Sequence, residues 1–148
     1  DIVYQRRSFI KRMRMTLQEV RDEMKDSDGD PKIKARIRAI AQERARRRMM
    51  AAVPRATVVV TNPTHYAVAL EYRHGEMAAP VVVAKGVDAV ALRIREVAGK
   101  AGVPVIESPP LARALYASAE IDRVIPVEHY AAVAEIISYV LHLARQKL

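Results

Sequence analysis

Apolar positions along the chain follow two patterns that meet near Pro54. Before it they recur at helical spacing amid charge. Ile10, Met13, Leu17, Val20 and Met24 lie three or four residues apart, which predicts a helix with one apolar stripe. The run Ser27-Asp28-Gly29-Asp30-Pro31 breaks that helix. Asp30 then stands where an N-cap belongs, with Pro31 at the first helical position. A second helix carries Ile33, Ile37 and Ile40 on one face. Stripes this narrow bury too little to fold alone, so the segment is expected to lean on a neighbour or to be partly flexible.

After Pro54 the apolar residues come in short β-branched runs. Thr57–Val60, Ala67–Tyr72, Pro80–Ala84 and Val103–Glu107 each predict a strand, with a turn at His74-Gly75. Val87, Val90, Ile94 and Val97 predict a helix ended by Gly99 and Gly102. Ser108 and Pro109 open a short helix with Leu111 and Leu115 on one face. A last helix starts near Val127 and turns Tyr130, Val133, Ile137, Val140 and Leu141 inward. Strands alternating with helices predict an α/β fold: a small central sheet of about four strands packed by helices, preceded by a long basic N-terminal helical arm. The expected boundaries are residues 1–53 for the arm and 54–148 for the compact domain.

Charge sharpens this division. Residues 1–50 hold 15 of the 25 Lys and Arg and 8 of the 17 Asp and Glu, so of the net +8 the arm carries +7. Such an arm suits an anionic membrane face, an acidic partner or nucleic acid. Its eight acidic residues and the few aromatics available for stacking argue against nucleic acid. The absence of Cys excludes disulfides and thiolate metal sites. No run of 18 apolar residues occurs, so nothing in the sequence reads as a membrane span.

Most candidate chemistries fail on spacing. The four histidines, His65, His74, His129 and His142, include no pair at i and i+4, and no metal site is expected. Ala84-Lys85-Gly86-Val87-Asp88 lies where a phosphate loop would, but one Gly and one Lys fit a tight left-handed turn better. No Ser has the setting of a nucleophile elbow.

What remains is Asn62-Pro63-Thr64-His65, a polar insert between two strands. It reads as a β-turn, since Asn favours the first position and Pro the second. It also permits an unusual reaction. Proline has no N–H, so the ordinary attack of the next residue on the Asn amide is closed. The reverse attack stays open: the Asn62 amide nitrogen adds to its own carbonyl carbon, closes a succinimide and expels Pro63. Proline holds Asn62 extended and a tight turn supplies proximity. Histidine changes charge near neutral pH, so His65 is a candidate proton carrier. Thr64 is a candidate donor, by hydroxyl or backbone N–H, to the developing oxyanion. Asn62 and Pro63 are required by this route, whereas Thr64 and His65 tune it. From these residues alone, the turn remains the stronger reading.

The wider context changes that balance. The segments VVVTNPTHYAVALEY, APVVVAKGVDAVALRIREVAGKAGVPVIESPPLARALY and IPVEHYAAVAEIISYVL strongly resemble the cytoplasmic domain of the FlhB/YscU type III secretion switch family. In the arm, DEMKDSDGDPKIKARIR and RRRMMAAVP resemble the linker of that family. The block Val81–Tyr116 is more similar to the flagellar branch than to the injectisome branch. The resemblance implies autocleavage between Asn62 and Pro63, with Thr64 and His65 completing the motif. It implies a switch of export from rod and hook substrates to filament substrates. It implies as partners an export-gate protein, a hook-length ruler and the export substrates, with no cofactor, no small-molecule substrate and no nucleic acid. It places the domain on the cytoplasmic face of the bacterial inner membrane, after a four-helix membrane domain, with the basic arm against the bilayer. Two other readings compete with it: a non-catalytic adaptor of the same fold, recognising partners by its surface, and a nucleic-acid binder working through the arm.

Overall fold

The computed structural model describes residues 2–26 and 30–146. They fall into two units, Asp1–Ala45 and Arg46–Leu148. In the first unit α1 runs Ile2–Asp26, and α2 (Pro31–Ala52) begins there and ends in the second. The Asp30 carboxylate accepts the Lys32 N–H at 3.0 Å, as an N-cap should. Of the two apolar stripes, Ile10, Met13, Leu17, Ile33, Ile37 and Ile40 are exposed. The side chains of Val20 and Met24, and the break at Ser27–Gly29, lie outside the described residues. Among the described residues no helix is long and apolar enough to cross a membrane.

In the second unit, β1 (Val58–Asn62), β2 (Tyr66–Glu71), β3 (Val81–Val87) and β4 (Val105–Glu107) form one sheet in the order β3-β2-β1-β4. The first three strands are antiparallel neighbours, and β4 joins β1 in parallel. Helices cover both faces. One face packs Val59, Ala67, Ala69 and Val83 against the last turn of α2 and against Ala91, Ile94 and Ala98 of α3 (Asp88–Ala101). The other packs Val58, Val60, Val68, Leu70 and Val82 against α4 (Pro109–Ser118) and α5 (Tyr130–Gln146). Burial on both faces is why these strands read as continuous apolar runs and do not alternate with polar residues. The outer edge of β3 is closed by the segment after α4, where Val82 N–H donates to Arg123 O at 3.0 Å and Asp122 N–H to Val82 O at 2.7 Å.

Several boundaries differ from expectation. The Lys85-Gly86 stretch is strand and not a turn, because β3 continues to Val87 opposite Tyr66. The left-handed residue is Asp88, at φ 49°. Gly86 is needed for a different reason, because a Cβ there would collide with Cγ1 of Val90 and come within 2.8 Å of its Cβ. Gly99 lies inside α3, and Gly102 alone ends it, at φ 75°, with Val103 N–H returning to Ala98 O at 2.9 Å. Ser108 precedes α4 without a capping side-chain hydrogen bond. Tyr130 and Leu141, expected inside, are 37% and 46% exposed. The buried stripe of α5 is Val133, Ile137 and Val140, and Leu141 is turned about 100° from Val140 on the helix.

Candidate functional site: an Asn-Pro loop on the central strand

The site grows out of the hairpin between β1 and β2. Asn62 is the last residue of β1 and pairs with Tyr66, the first of β2, leaving Pro63, Thr64 and His65 as the loop. Asn62 is half-buried and the three loop residues are largely exposed. The Asn62–Pro63 peptide bond is trans. Val58, Val59 and Val60 upstream are fully buried, so the loop is anchored on a fully enclosed stretch of strand.

Two contacts define what the loop can do. The His65 backbone N–H donates to Asn62 O at 3.0 Å. That oxygen belongs to the Asn62–Pro63 amide itself, so the donor already sits where negative charge would grow if the carbonyl carbon were attacked. The Thr64 hydroxyl donates to the side-chain oxygen of Asn62, Oδ1, over 3.4 Å. With Oδ1 engaged, the amide nitrogen Nδ2 is the end that Thr64 leaves free to react. The donor to the backbone oxygen is thus the His65 N–H, while the Thr64 hydroxyl holds the side-chain amide of Asn62. The β-turn signal contained this donor, since a turn that starts at Asn62 directs the N–H three residues on at Asn62 O.

Behind the loop, His65 and Tyr66 are held from β3. Asp88 N–H donates to His65 O at 3.0 Å, and the Asp88 carboxylate lies 3.8 Å from His65 Nδ1. The ring of Tyr66 packs on Tyr116 of α4 at 5.1 Å between centroids. Lys85 reaches under the end of α4, with Nζ 3.1 Å from Tyr116 O and 2.7 Å from Ala119 O. A cation there satisfies carbonyls that a helix end leaves unpaired. Sequence reasoning singled out neither Asp88 nor Lys85 for these contacts, because both depend on where β3 ends.

A separate apolar groove of about 330 Å³ opens where α5 crosses the start of β3. Tyr72, Ala79, Pro80, Ala134, Ile137 and Leu141 contribute to its walls. It explains the exposure of Leu141 and Tyr130, which stand at its lining.

Fold and site together define a small α/β domain whose central strand ends in an Asn-Pro hairpin loop. The sequence profile of the FlhB HrpN YscU SpaS family matches residues 1–140. The flagellar biosynthetic protein FlhB of Escherichia coli is 55% identical over 148 residues, covering 100% of this chain and 39% of that protein. The cytoplasmic domain of FlhB from Shewanella putrefaciens superposes with a TM-score of 0.66 at 48% identity, covering 69% of this chain and 78% of that one. An EscU C-terminal domain, solved as a variant with one asparagine replaced by alanine, gives 0.60 at 37% identity, covering 62% of this chain and 92% of its own. The chain belongs to the FlhB HrpN YscU SpaS family. It spans about two fifths of the length of the curated relatives it matches.

Proposed function

We propose that this chain is the cytoplasmic portion of a flagellar type III export component that cuts its own backbone between Asn62 and Pro63. The cut switches export from rod and hook substrates to filament substrates. Family membership supports the export assignment, and the relatives are named as flagellar biosynthetic proteins. The cut itself is carried by one observation: the carbonyl of the scissile amide already accepts the His65 N–H at 3.0 Å.

The reaction follows from that arrangement. Asn62 Nδ2 attacks the Asn62 carbonyl carbon, and the oxygen takes up negative charge against the His65 N–H. A proton leaves Nδ2 and reaches the nitrogen of Pro63. The C–N bond breaks as the carbonyl re-forms. The products are a succinimide at the end of residues 1–62 and a secondary amine at Pro63. Water then opens the imide. The summed fragment masses therefore equal the intact mass at the imide stage and exceed it by one water afterwards.

The cut leaves the domain assembled. β1 lies on the first piece, yet both its neighbours, β2 and β4, lie on the second. The Thr57 hydroxyl adds two further contacts across the pieces, accepting Tyr72 N–H at 2.9 Å and donating to Tyr72 O at 3.2 Å. Cleavage thus frees a loop on a surface without releasing a fragment, which is what a single-use switch of partner preference requires. The partners we assign are the export-gate protein, the hook-length ruler and the export substrates. The exposed Arg6, Arg7, Lys11, Arg12 and Arg14 suit the anionic inner face of the bilayer, at about 1 kcal/mol per near-surface charge.

The test is chain integrity. Protein from cell-free synthesis, aged at neutral pH and run on denaturing gels with intact-mass readout, should resolve into pieces ending at Asn62 and starting at Pro63. Wild-type material that stays a single uncut chain for days while correctly folded removes the proposal and leaves an adaptor whose loop is only a turn.

A further inference from the structure

Asp88 is held in a conformation that non-glycine residues seldom adopt, φ 49°, in the left-handed region. It follows the last residue of β3, Val87, which pairs with Tyr66. At Asp88 the chain leaves the sheet and starts α3, yet the ladder runs one bond further: the Asp88 N–H donates to His65 O at 3.0 Å. The same residue brings its Oδ1 to 3.8 Å from His65 Nδ1. One residue in an unusual backbone state thus meets His65 twice, and His65 adjoins the loop carbonyl. Gly86 makes the approach possible, since any Cβ there would push Val90 and the first turn of α3 away from β3.

We propose that Asp88 is a positioning residue for the self-cleavage, acting through His65; the inference rests on the self-cleavage reading above. The carboxylate draws the imidazole proton to Nδ1 and leaves Nε2 as the basic nitrogen. Nε2 accepts the proton lost by Asn62 Nδ2 and returns it to the nitrogen of Pro63, so His65 ends unchanged. During the transfer the carboxylate stabilises the imidazolium, as the acidic member of a Ser-His-Asp triad does. A structural alternative exists, because an acidic residue at the start of a helix also favours the helix dipole.

Glycine separates the two roles. It adopts φ 49° at least as readily as Asp, so Asp88→Gly keeps the turn and the backbone bond and removes only the carboxylate. Cleavage is timed from cell-free synthesis, and melting is followed on the same variants. Asp88→Gly and Asp88→Asn are expected to cut about fivefold more slowly, the most that an exposed ion contact supplies. Asp88→Glu is expected to recover part of the rate. In a His65→Ala background, Asp88→Gly is expected to have no further effect. A wild-type rate in Asp88→Gly, or equal slowing with and without His65, overturns the proposal. A second readout does not need the cut. In the uncleavable Asn62→Ala chain, side-chain nitrogen shifts of His65 should report mostly Nδ1–H, and Asp88→Gly should lower that population. An unchanged tautomer overturns the positioning role even if cleavage proceeds. A changed tautomer in a chain whose wild type never cuts keeps the Asp88–His65 contact but overturns its role in cleavage, together with the self-cleavage reading.

Discussion

Asn62 places its backbone oxygen 3.0 Å from the His65 N–H and its side-chain oxygen 3.4 Å from the Thr64 hydroxyl. The first of these bonds is what a hydrogen-bonded β-turn beginning at Asn62 makes, so the turn and the proposed reactive arrangement share one geometry. Chemistry then decides which substitutions matter. Asn62→Ala removes the attacking nitrogen, and mass spectrometry should find only intact chain. Asn62→Gln keeps an amide but must close a six-membered ring from a longer, freer side chain; cleavage should slow by roughly a hundredfold, given how strongly such closures depend on alignment. Thr64→Val keeps the shape and removes the hydroxyl held against Oδ1. A neutral hydrogen bond contributes about 1 kcal/mol, so a timed gel should show the cut slowed about fivefold. The insert of Asn62, Pro63, Thr64 and His65 between two strands was legible in the sequence. Asp88 was not, because only the extra length of β3 carries it to His65.

Among the elements, the strands and helices were legible wherever period and composition agreed. Val58, Val59 and Val60 are β-branched and fully buried, and the run was plain as a strand. The Lys85-Gly86 stretch misled, since a Gly and a charge between a strand and a helix resemble a turn. The outcome was set by packing: β3 keeps its pairing with Ala67 and Tyr66, and α3 lies so close that position 86 has no room for a side chain. Gly86→Ala should therefore destabilise the fold by about 1–3 kcal/mol, as overpacking does, with a lowered melting temperature by circular dichroism. It should also disturb the loop contacts that start from Asp88. The ends of α5 misled for another reason. Its apolar residues are more numerous than one core face can cover, and the surplus borders a groove.

At the scale of the molecule, the sequence tells the arm from the rest by its apolar spacing and, more sharply, by charge, with +7 of the net +8 in residues 1–50. The sheet order could not be read, because sequence gives strands without neighbours. That order matters most for the proposed cut, since it makes β1 an interior strand flanked by β2 and β4. Val60 is fully buried there, against the face that carries α4 and α5. Val60→Ala should lower the stability of the intact chain by about 2 kcal/mol, as large-to-small changes in a core do. In a cut chain the same change should weaken the hold between pieces about thirtyfold, because about 1.4 kcal/mol is tenfold in an equilibrium constant. Size-exclusion chromatography of the cut wild type at micromolar concentration should give a single peak containing both pieces.

The interior position of β1 has one more consequence. While the backbone is whole, folding is unimolecular and its midpoint is indifferent to dilution. Once the backbone opens, the same contacts become an association between two molecules. Its melting midpoint then rises with protein concentration, and a parted second piece would bare the flanks of β2 and β4 as sticky edges. A single broken amide would thus give the domain a dissociation constant where it previously had only a folding constant.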